Sequence, residues 1–249
     1  SWTGENLNNK SYVSYTFRKA KEFFDIVVYK GDGSESTAQT ISHNLGAVPG
    51  MIIIKKISYD HNTNSFTTGE WSVYHKNLIE SSHLAGASIS ADGYILLNTD
   101  GRANNTTGNV GGGWVAPFND TAPTSTNFQV ISDDFSGGSG ISFPQSHQCN
   151  DDESYYVAYL FGTDTDFIKC GYYTGQLHQT TSVSGLGFKP GFLLIKDIDD
   201  SQGQHWILYD ETRGVTSDTT QTIFKVSDPG TTGLGSEEEV SSSSYSLTF

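Results

Sequence analysis

Short apolar runs separated by polar, glycine-rich clusters dominate this chain. The runs are rich in Val, Ile, Tyr and Phe, and helical periodicity is nearly absent. Such a pattern is typical of an all-β protein. We predict strands at the following segments: Tyr12–Phe17, Phe24–Tyr29, Met51–Ile57, Trp71–Tyr74, Tyr94–Asn98, Phe128–Ile131, Tyr155–Phe161, Phe167–Tyr173, Phe192–Ile198, Trp206–Tyr209, Thr222–Val226 and Tyr245–Phe249.

Two of these runs, Met51–Ile54 and Phe192–Ile195, are apolar at every position. Uninterrupted apolar runs predict central strands that are covered on both faces. Each run follows a Leu-Gly-x-x-Pro-Gly element, in which Pro and Gly favour a tight turn just before strand pairing begins. Together these features predict tandem β-sandwich units of jelly-roll-like type.

The chain repeats itself, which is the basis for predicting tandem units. When Tyr12–Phe17 is aligned with Tyr156–Phe161, the alignment continues without gaps, and Phe23, Tyr29 and Gly31 match Phe167, Tyr173 and Gly175. An internal repeat of this length indicates an array of domains, and such arrays commonly serve multivalent binding. The aligned anchors are Tyr12–Phe17 with Tyr156–Phe161, Leu45–Lys55 with Leu186–Lys196, and Trp71–Tyr74 with Trp206–Tyr209.

The repeat divides the chain into three predicted parts. Residues 1–17 are a closing strand of a preceding unit or an N-terminal strand, residues 18–161 form the first β-sandwich unit, and residues 162–249 form a second, incomplete one. An uncovered sheet edge invites pairing with another strand. We therefore expect a neighbouring copy or subunit to complete that edge, and we predict a homo-oligomer, with a trimer as one candidate.

Charge narrows the choice of partners. The chain has a formal net charge of −14, which disfavours nucleic acid because phosphate binding needs a basic face. The same repulsion disfavours anionic membranes, and no apolar stretch is long enough to insert in a bilayer. The acidic balance suits a neutral polymer, a cation, or solubility alone.

Several anchors together resemble a repeat domain of bacteriophage tail-fibre-like and other virion structural proteins, especially of marine phages. The resemblance implies a virion-surface protein with other virion proteins as partners, and it supplies no catalytic residues. The stretches that carry it are Tyr12–Lys19, Phe23–Tyr29, Ile41–Gly46, Val48–Ile52, Trp71–His75, Thr121–Thr126 and Ile168–Gly171.

Catalytic motifs are missing from the sequence, so we predict that the protein is not an enzyme. It has no metalloprotease helix motif, phosphate-binding loop, dinucleotide fingerprint or nucleophile elbow. Carboxylate pairs for glycoside hydrolysis leave no fixed spacing in a β fold. Asp133–Asp134, Asp151–Glu153 and Asp197–Asp200 are candidates by residue type alone, and solvated loop charges are the favoured interpretation of such runs.

A long loop that breaks the repeat is the candidate ligand site. Trp114 follows three glycines and has no counterpart in the second copy, and Asn104, Asn105 and Asn109 precede it. An aromatic face with nearby amides suits sugar binding, but Trp114 could equally pin its own loop. The recurring Trp71 and Trp206 are better interpreted as core residues.

Metal and thiol chemistry offer little more. We predict no cofactor, with one alternative: Asp197, Asp199 and Asp200 could hold a structural Ca²⁺ in an oxygen-lined loop. His43, before the first Pro-Gly turn, is expected to hydrogen-bond that turn. Of the two cysteines, Cys170 is predicted to be a buried free thiol, with a bridge to Cys149 as the alternative.

The predicted function is therefore that of a non-enzymatic virion structural protein, in a tail fibre or other surface appendage, that contributes to attachment to host-surface polysaccharide. The expected location is the virion surface. One alternative is a capsid decoration or purely structural protein without a host ligand. A second is a depolymerase of surface polysaccharide.

Overall fold

We describe the fold from a computed structural model. It describes the chain in separate segments, and all structural statements below concern these residues: 8–9, 12, 14–34, 37–57, 71–80, 93–97, 104–105, 117–119, 121–132, 149–175, 181–198, 206–210, 220–226, 237–241 and 247–248.

The prediction of an all-β protein is confirmed. Within the described segments, the regular structure is almost entirely strand, with one short helix, α1 (Lys76–Glu80). The tandem-sandwich arrangement and the domain boundaries stay predictions. The strands are β1 (Phe24–Lys30), β2 (Gln39–Ser42), β3 (Met51–Lys56), β4 (Trp71–His75), β5 (Gly93–Leu96), β6 (Asn104–Asn105), β7 (Asn127–Val130), β8 (Tyr155–Phe161), β9 (Thr181–Ser182), β10 (Phe192–Ile195), β11 (Trp206–Asp210), β12 (Thr220–Val226), β13 (Glu237–Ser241) and β14 (Leu247–Thr248).

The largest sheet has six antiparallel strands in the order β1-β8-β3-β4-β5-β6. Its least local feature is β8, which lies between β1 and β3 although about a hundred residues separate it from β3 in the chain. In this register Phe161 lies opposite Phe24 on one side and Met51 on the other. A strand from the start of the second repeat thus joins two strands of the first.

The predicted central position of β3 is confirmed. Because side chains alternate along a strand, Ile52 and Ile54 point to one face of the sheet and Ile53 to the other, and all three are buried. The pair β2-β7 covers the first face with Ile41, Phe128 and Val130. Trp206 of β11 and Leu78 of α1 are buried against part of the second face, in one cluster with Ile53, Val73 and Ile95.

A second sheet has the order β10-β11-β12-β13. It is tied to the first by the Trp206 indole, whose Nε1–H donates to the Leu96 carbonyl at 2.8 Å. The expected core role of Trp206 is confirmed, and Trp71 packs half-buried against the same core.

The two sheets share one hairpin geometry. In β3-β4, Met51 lies opposite His75 and Ile54 opposite Ser72. In β10-β11, the aligned residues pair in the same way, with Phe192 opposite Asp210 and Ile195 opposite Ile207. The register of the hairpin is therefore repeated along with its sequence.

Two strand predictions are wrong, and a third is right about the strand but wrong about its position in the sheet. Tyr12, Ser14–Phe17 and Phe167–Tyr173 have irregular backbone instead of strand structure. Residues 192–195 do form β10, but this is the outer strand of its sheet and is only partly covered, so the prediction of a second central strand fails. A strand needs a paired strand to satisfy its backbone groups, and neither irregular segment is part of the sheets found in the described residues.

Both cysteines are buried free thiols, which confirms the interpretation of Cys170 and excludes its bridge to Cys149. Among the described helical residues, nothing has the length and apolar character needed to cross a membrane.

Candidate interaction surface

Only some of the residues that the sequence predicts to bind a ligand lie within the described part of the chain. Trp114, Asn109, Asp199 and Asp200 lie outside the described residues. Asn104 and Asn105 form β6, where Asn104 pairs with Tyr94, and Asp197 is exposed beyond the end of β10. In the part of the chain that the structure describes, no three metal-binding side chains come together. The sugar and calcium sites therefore stay predictions.

His43 hydrogen-bonds the turn as predicted. Its Nδ1 accepts from the Leu45 N–H at 3.2 Å, and its Nε2 lies 3.1 Å from the Thr124 carbonyl, to which an Nε2–H would donate. Burial lowers the pKa of His43 below its ordinary value, in keeping with a neutral ring that uses both nitrogens. These contacts give His43 a structural role in holding the Leu45–Gly46 turn.

Asp25 stabilises the same turn through a hydrogen bond to its backbone. It is 2% exposed, pairs with Lys19 Nζ at 2.6 Å and accepts the Asn44 N–H at 2.8 Å. Burial acts to raise the pKa of this carboxyl, but the bonds from Lys19 and Asn44 outweigh it and hold that pKa below its ordinary value. Asp25 is thus an ionised structural carboxylate.

A second polar cluster closes the opposite end of the large sheet. Lys56 pairs with Asp151 at 2.7 Å, and the Asp151 N–H donates to the Tyr156 hydroxyl at 2.9 Å. The buried Asn150 binds Asp32 through both its amide oxygen and its amide nitrogen. Two of the carboxylates considered for hydrolysis, Asp151 and Glu153, form ion pairs, with Lys56 and Lys30 respectively. The cluster acts as a clamp between residues 31–34 and 149–154.

The thiols are poor nucleophiles. Burial raises the pKa of Cys149 to about 12 and that of Cys170 to about 11. Because the thiolate is the reactive form, both groups are almost wholly unreactive near neutral pH. Their buried environment indicates a role in packing. Cys170 lies directly against Gly50, and a Cβ added at Gly50 would lie 2.9 Å from the Cys170 sulfur.

The remaining feature is an exposed apolar platform on the large sheet. The registers place side chains of three adjacent strands in rows on the face that also carries Ile53. One row contains Lys30, Tyr155 and Ile57, where the Ile57 N–H donates to the Tyr155 carbonyl. The next contains Val28, Val157 and Lys55. We call Val28, Ile57, Tyr155 and Val157 the platform.

The platform lies beyond the part of this face that the second sheet covers. Farther along, Tyr159 and Phe161 pack against the core that contains Trp206. In contrast, Val28 is 60% exposed, Tyr155 49% and Ile57 48%. On one side the platform is bordered by an ion pair, in which Lys30 Nζ lies 2.7 Å from a Glu153 carboxylate oxygen. On the other side of the platform, Lys55 lies over the Trp71 ring.

Chemically, the platform offers an aromatic ring and aliphatic side chains as a contact surface. A tyrosine ring and aliphatic side chains on a rigid sheet, with charged groups at the rim, suit a sugar ring or an apolar protein surface. Sequence reasoning missed the platform. The usable signal was two pairs of consecutive apolar residues, Val27-Val28 and Tyr155-Tyr156, since the two side chains of each pair point to opposite faces of the sheet and place apolar groups on both.

The fold thus defines an all-β protein with a central sheet that is covered on both faces and an exposed apolar candidate surface. The chain belongs to the family described as a domain of unknown function, DUF7483, whose family model matches residues 6–244. No curated protein and no solved structure matches the chain.

Proposed function

We propose that this protein is a non-enzymatic structural component of a virion surface appendage, such as a tail fibre, built from tandem β-sandwich units and contributing to attachment to host-surface polysaccharide. The resemblance of its repeat anchors to phage tail-fibre-like proteins suggests the virion setting. The exposed platform is the single structural observation that supports a binding role.

The platform suits polysaccharide because it combines a flat aromatic ring with rim groups that can hydrogen-bond hydroxyls. Tyr155 supplies the ring, and Lys30 and Glu153 supply the rim. One such contact is weak, and several copies in an oligomeric appendage would raise the overall affinity by multivalency. The acidic chain fits a neutral polymer better than an anionic one.

The test is binding of the purified chain to a panel of purified bacterial surface polysaccharides and to intact cells. We expect saturable binding that Tyr155→Ala reduces at least several-fold and that Tyr155→Phe retains, because stacking needs the ring and not the hydroxyl. Tyr172→Ala is the matched control, since Tyr172 is also exposed but lies outside the sheet. Trp114→Ala tests the loop site predicted from the sequence in the same assay.

Other outcomes point to the other candidates. Absence of binding by a folded chain, together with a change of oligomeric state in Tyr155→Ala, would favour a purely structural or capsid-decoration role. Release of reducing ends from any polysaccharide would contradict the non-enzymatic proposal and favour a depolymerase.

A further inference from the structure

The outer edge of β10 is incompletely covered. Phe192 is 37% exposed and Leu193, Leu194 and Ile195 are half-buried. In the described part of the chain β10 pairs only with β11. A half-covered apolar strand at a sheet edge is a template for a further strand.

The first repeat shows which strand covers the aligned edge. There, β8 pairs along the whole of β3, with Met51 opposite Phe161, Ile53 opposite Tyr159 and Lys55 opposite Val157. The sequence of this covering strand is Tyr-Val-Ala-Tyr-Leu-Phe at residues 156–161. Since β3 and β10 have aligned sequences and the same hairpin register, the strand that covers β10 should resemble β8.

The chain carries another such sequence, Tyr-Val-Ser-Tyr-Thr-Phe at residues 12–17, and its residues Tyr15 and Phe17 already lie against β10. The Tyr15 and Phe192 rings meet edge to face with centroids 5.1 Å apart, and those of Phe17 and Phe192 are 6.5 Å apart. The Tyr15 hydroxyl also donates to the Asp210 carboxylate, on the strand paired with β10. Tyr12, Tyr15 and Phe17 are each at least 40% exposed, so both partners have apolar surface left to bury.

We propose that residues 12–17 of the chain itself add to the edge of β10 as a fifth antiparallel strand, in the register that β8 has on β3. That register places Phe17 opposite Phe192, Tyr15 opposite Leu194 and Ser14 opposite Ile195. The alternative sources of the strand are a second copy of this chain or another protein. The contacts of Tyr15 and Phe17 with Phe192 within one chain favour the chain's own segment.

The first repeat also fixes which backbone groups would face β10. The Ile57 N–H donates to the Tyr155 carbonyl, so Tyr155 and every second residue after it, Val157, Tyr159 and Phe161, form the hydrogen-bonded pairs with β3. By alignment, Val13, Tyr15 and Phe17 would direct their N–H groups at β10, whereas Ser14 and Thr16 would direct theirs away. Ser14 and Ile195 would then form a non-hydrogen-bonded pair, whose Cα separation of about 4.5 Å is within the range of a disulfide.

The test is a disulfide between Ser14→Cys and Ile195→Cys in the full chain, formed by mild oxidation and identified by peptide mass. We expect the two introduced cysteines to be linked to each other in most of the folded protein. Ser14→Cys with Leu194→Cys is the register control, because those side chains would point to opposite faces and should not link. The buried native thiols stay in place, and the peptide map distinguishes them. An equal mixture of isotopically light and heavy chains should give only unmixed linked peptides.

Either of two results would overturn the proposal. Linkages that combine light and heavy peptides would assign the strand to a second copy. A folded double variant that fails to link, or that links equally well in the register control, would show that residues 12–17 do not pair with β10 in this way.

Amide exchange gives a second readout in case the cysteine variants fold poorly. Val13→Pro removes an N–H that should face β10, so it should speed exchange of the β10 amides several-fold. Ser14→Pro removes an N–H that should face away, so it should have the smaller effect. Equal effects of the two variants, or none, would also count against the proposed register.

Discussion

The β3-β4 and β10-β11 hairpins have aligned sequences and the same strand register, yet they differ in burial. Ile54 is 1% exposed, whereas the aligned Ile195 is only half-buried. The difference comes from what surrounds each hairpin. β8 lies along β3 and covering layers occupy both of its faces, whereas β10 is the outer strand of its sheet.

This comparison shows that a local sequence can specify a hairpin without specifying its burial. An apolar run sets which residues alternate between the two faces, and the turn sets the register. Burial depends on strands and layers supplied from elsewhere in the chain. Three predictions test how far the two hairpins are equivalent.

The largest expected difference is at the aligned isoleucines. Ile54→Ala should lower the free energy of unfolding by about 3 kcal/mol, because it leaves a cavity in a fully packed core. Ile195→Ala should cost only about 1 kcal/mol, since that side chain is partly exposed. Denaturant unfolding of the two variants measures both values. Equal costs would mean that β10 is as well covered in solution as β3.

An intermediate effect is expected at the residues that end the inner strands, His75 and Asp210. Burial, assisted by the charge of Lys76, lowers the pKa of His75 to about 4 in the folded protein. The unfolded chain therefore binds the proton more readily. Stability that is fully present above pH 6.5 should be lost as the pH falls, by about 2 kcal/mol at about pH 5.

His75→Gln should flatten this part of the profile of unfolding free energy against pH. Asp210→Asn is the matched variant on the second hairpin. Because it retains His75, it should keep the loss of stability that His75 causes between pH 6.5 and 5. A wild-type slope that survives His75→Gln would assign the loss to another group, of which the buried His43 is the first candidate.

The smallest difference is expected at the turn glycines. Gly46 and Gly187 have φ values of 78° and 80°, in the left-handed region that a Cβ disfavours. Alanine at either position should cost about 1 kcal/mol. Thermal or chemical unfolding should give closely similar values for the two, with Gly171→Ala near zero because its surroundings are open. Unequal costs would show that the two turns are not the same local structure.

Much of the fold could be predicted from the sequence, because β-strand patterning and turn residues are local signals. The pattern placed β1, β3, β4, β8 and β11 within a residue or two. The short strands β2, β6 and β9 escaped prediction, since such short pairs depend on the neighbouring strand and not on their own composition. For the same reason Phe167–Tyr173, which has strand-like composition, has irregular backbone. β13 escaped prediction as well, because its run of three glutamates lacks a strand-like apolar pattern.

The candidate surface was less accessible to prediction. Periodicity identifies which side chains share a face, but not which part of that face another layer covers. The sequence therefore predicted ligand sites at Trp114 and Asp197, whereas the structure indicates a candidate binding surface around Tyr155. The role of His43 could be predicted, because its partner Leu45 is only two residues away.

By itself, the sequence determined the all-β class, the repeated hairpin and its turns, because these depend on contacts between residues close in the chain. Only the tertiary structure decided that β8 joins β1 to β3, that Trp206 covers one end of the large sheet, and that Tyr155 stays exposed at the other. Those outcomes depend on pairing and packing between segments that are distant in the chain. The alternation of apolar and polar residues along a strand does not specify which distant segment pairs with it or packs on it.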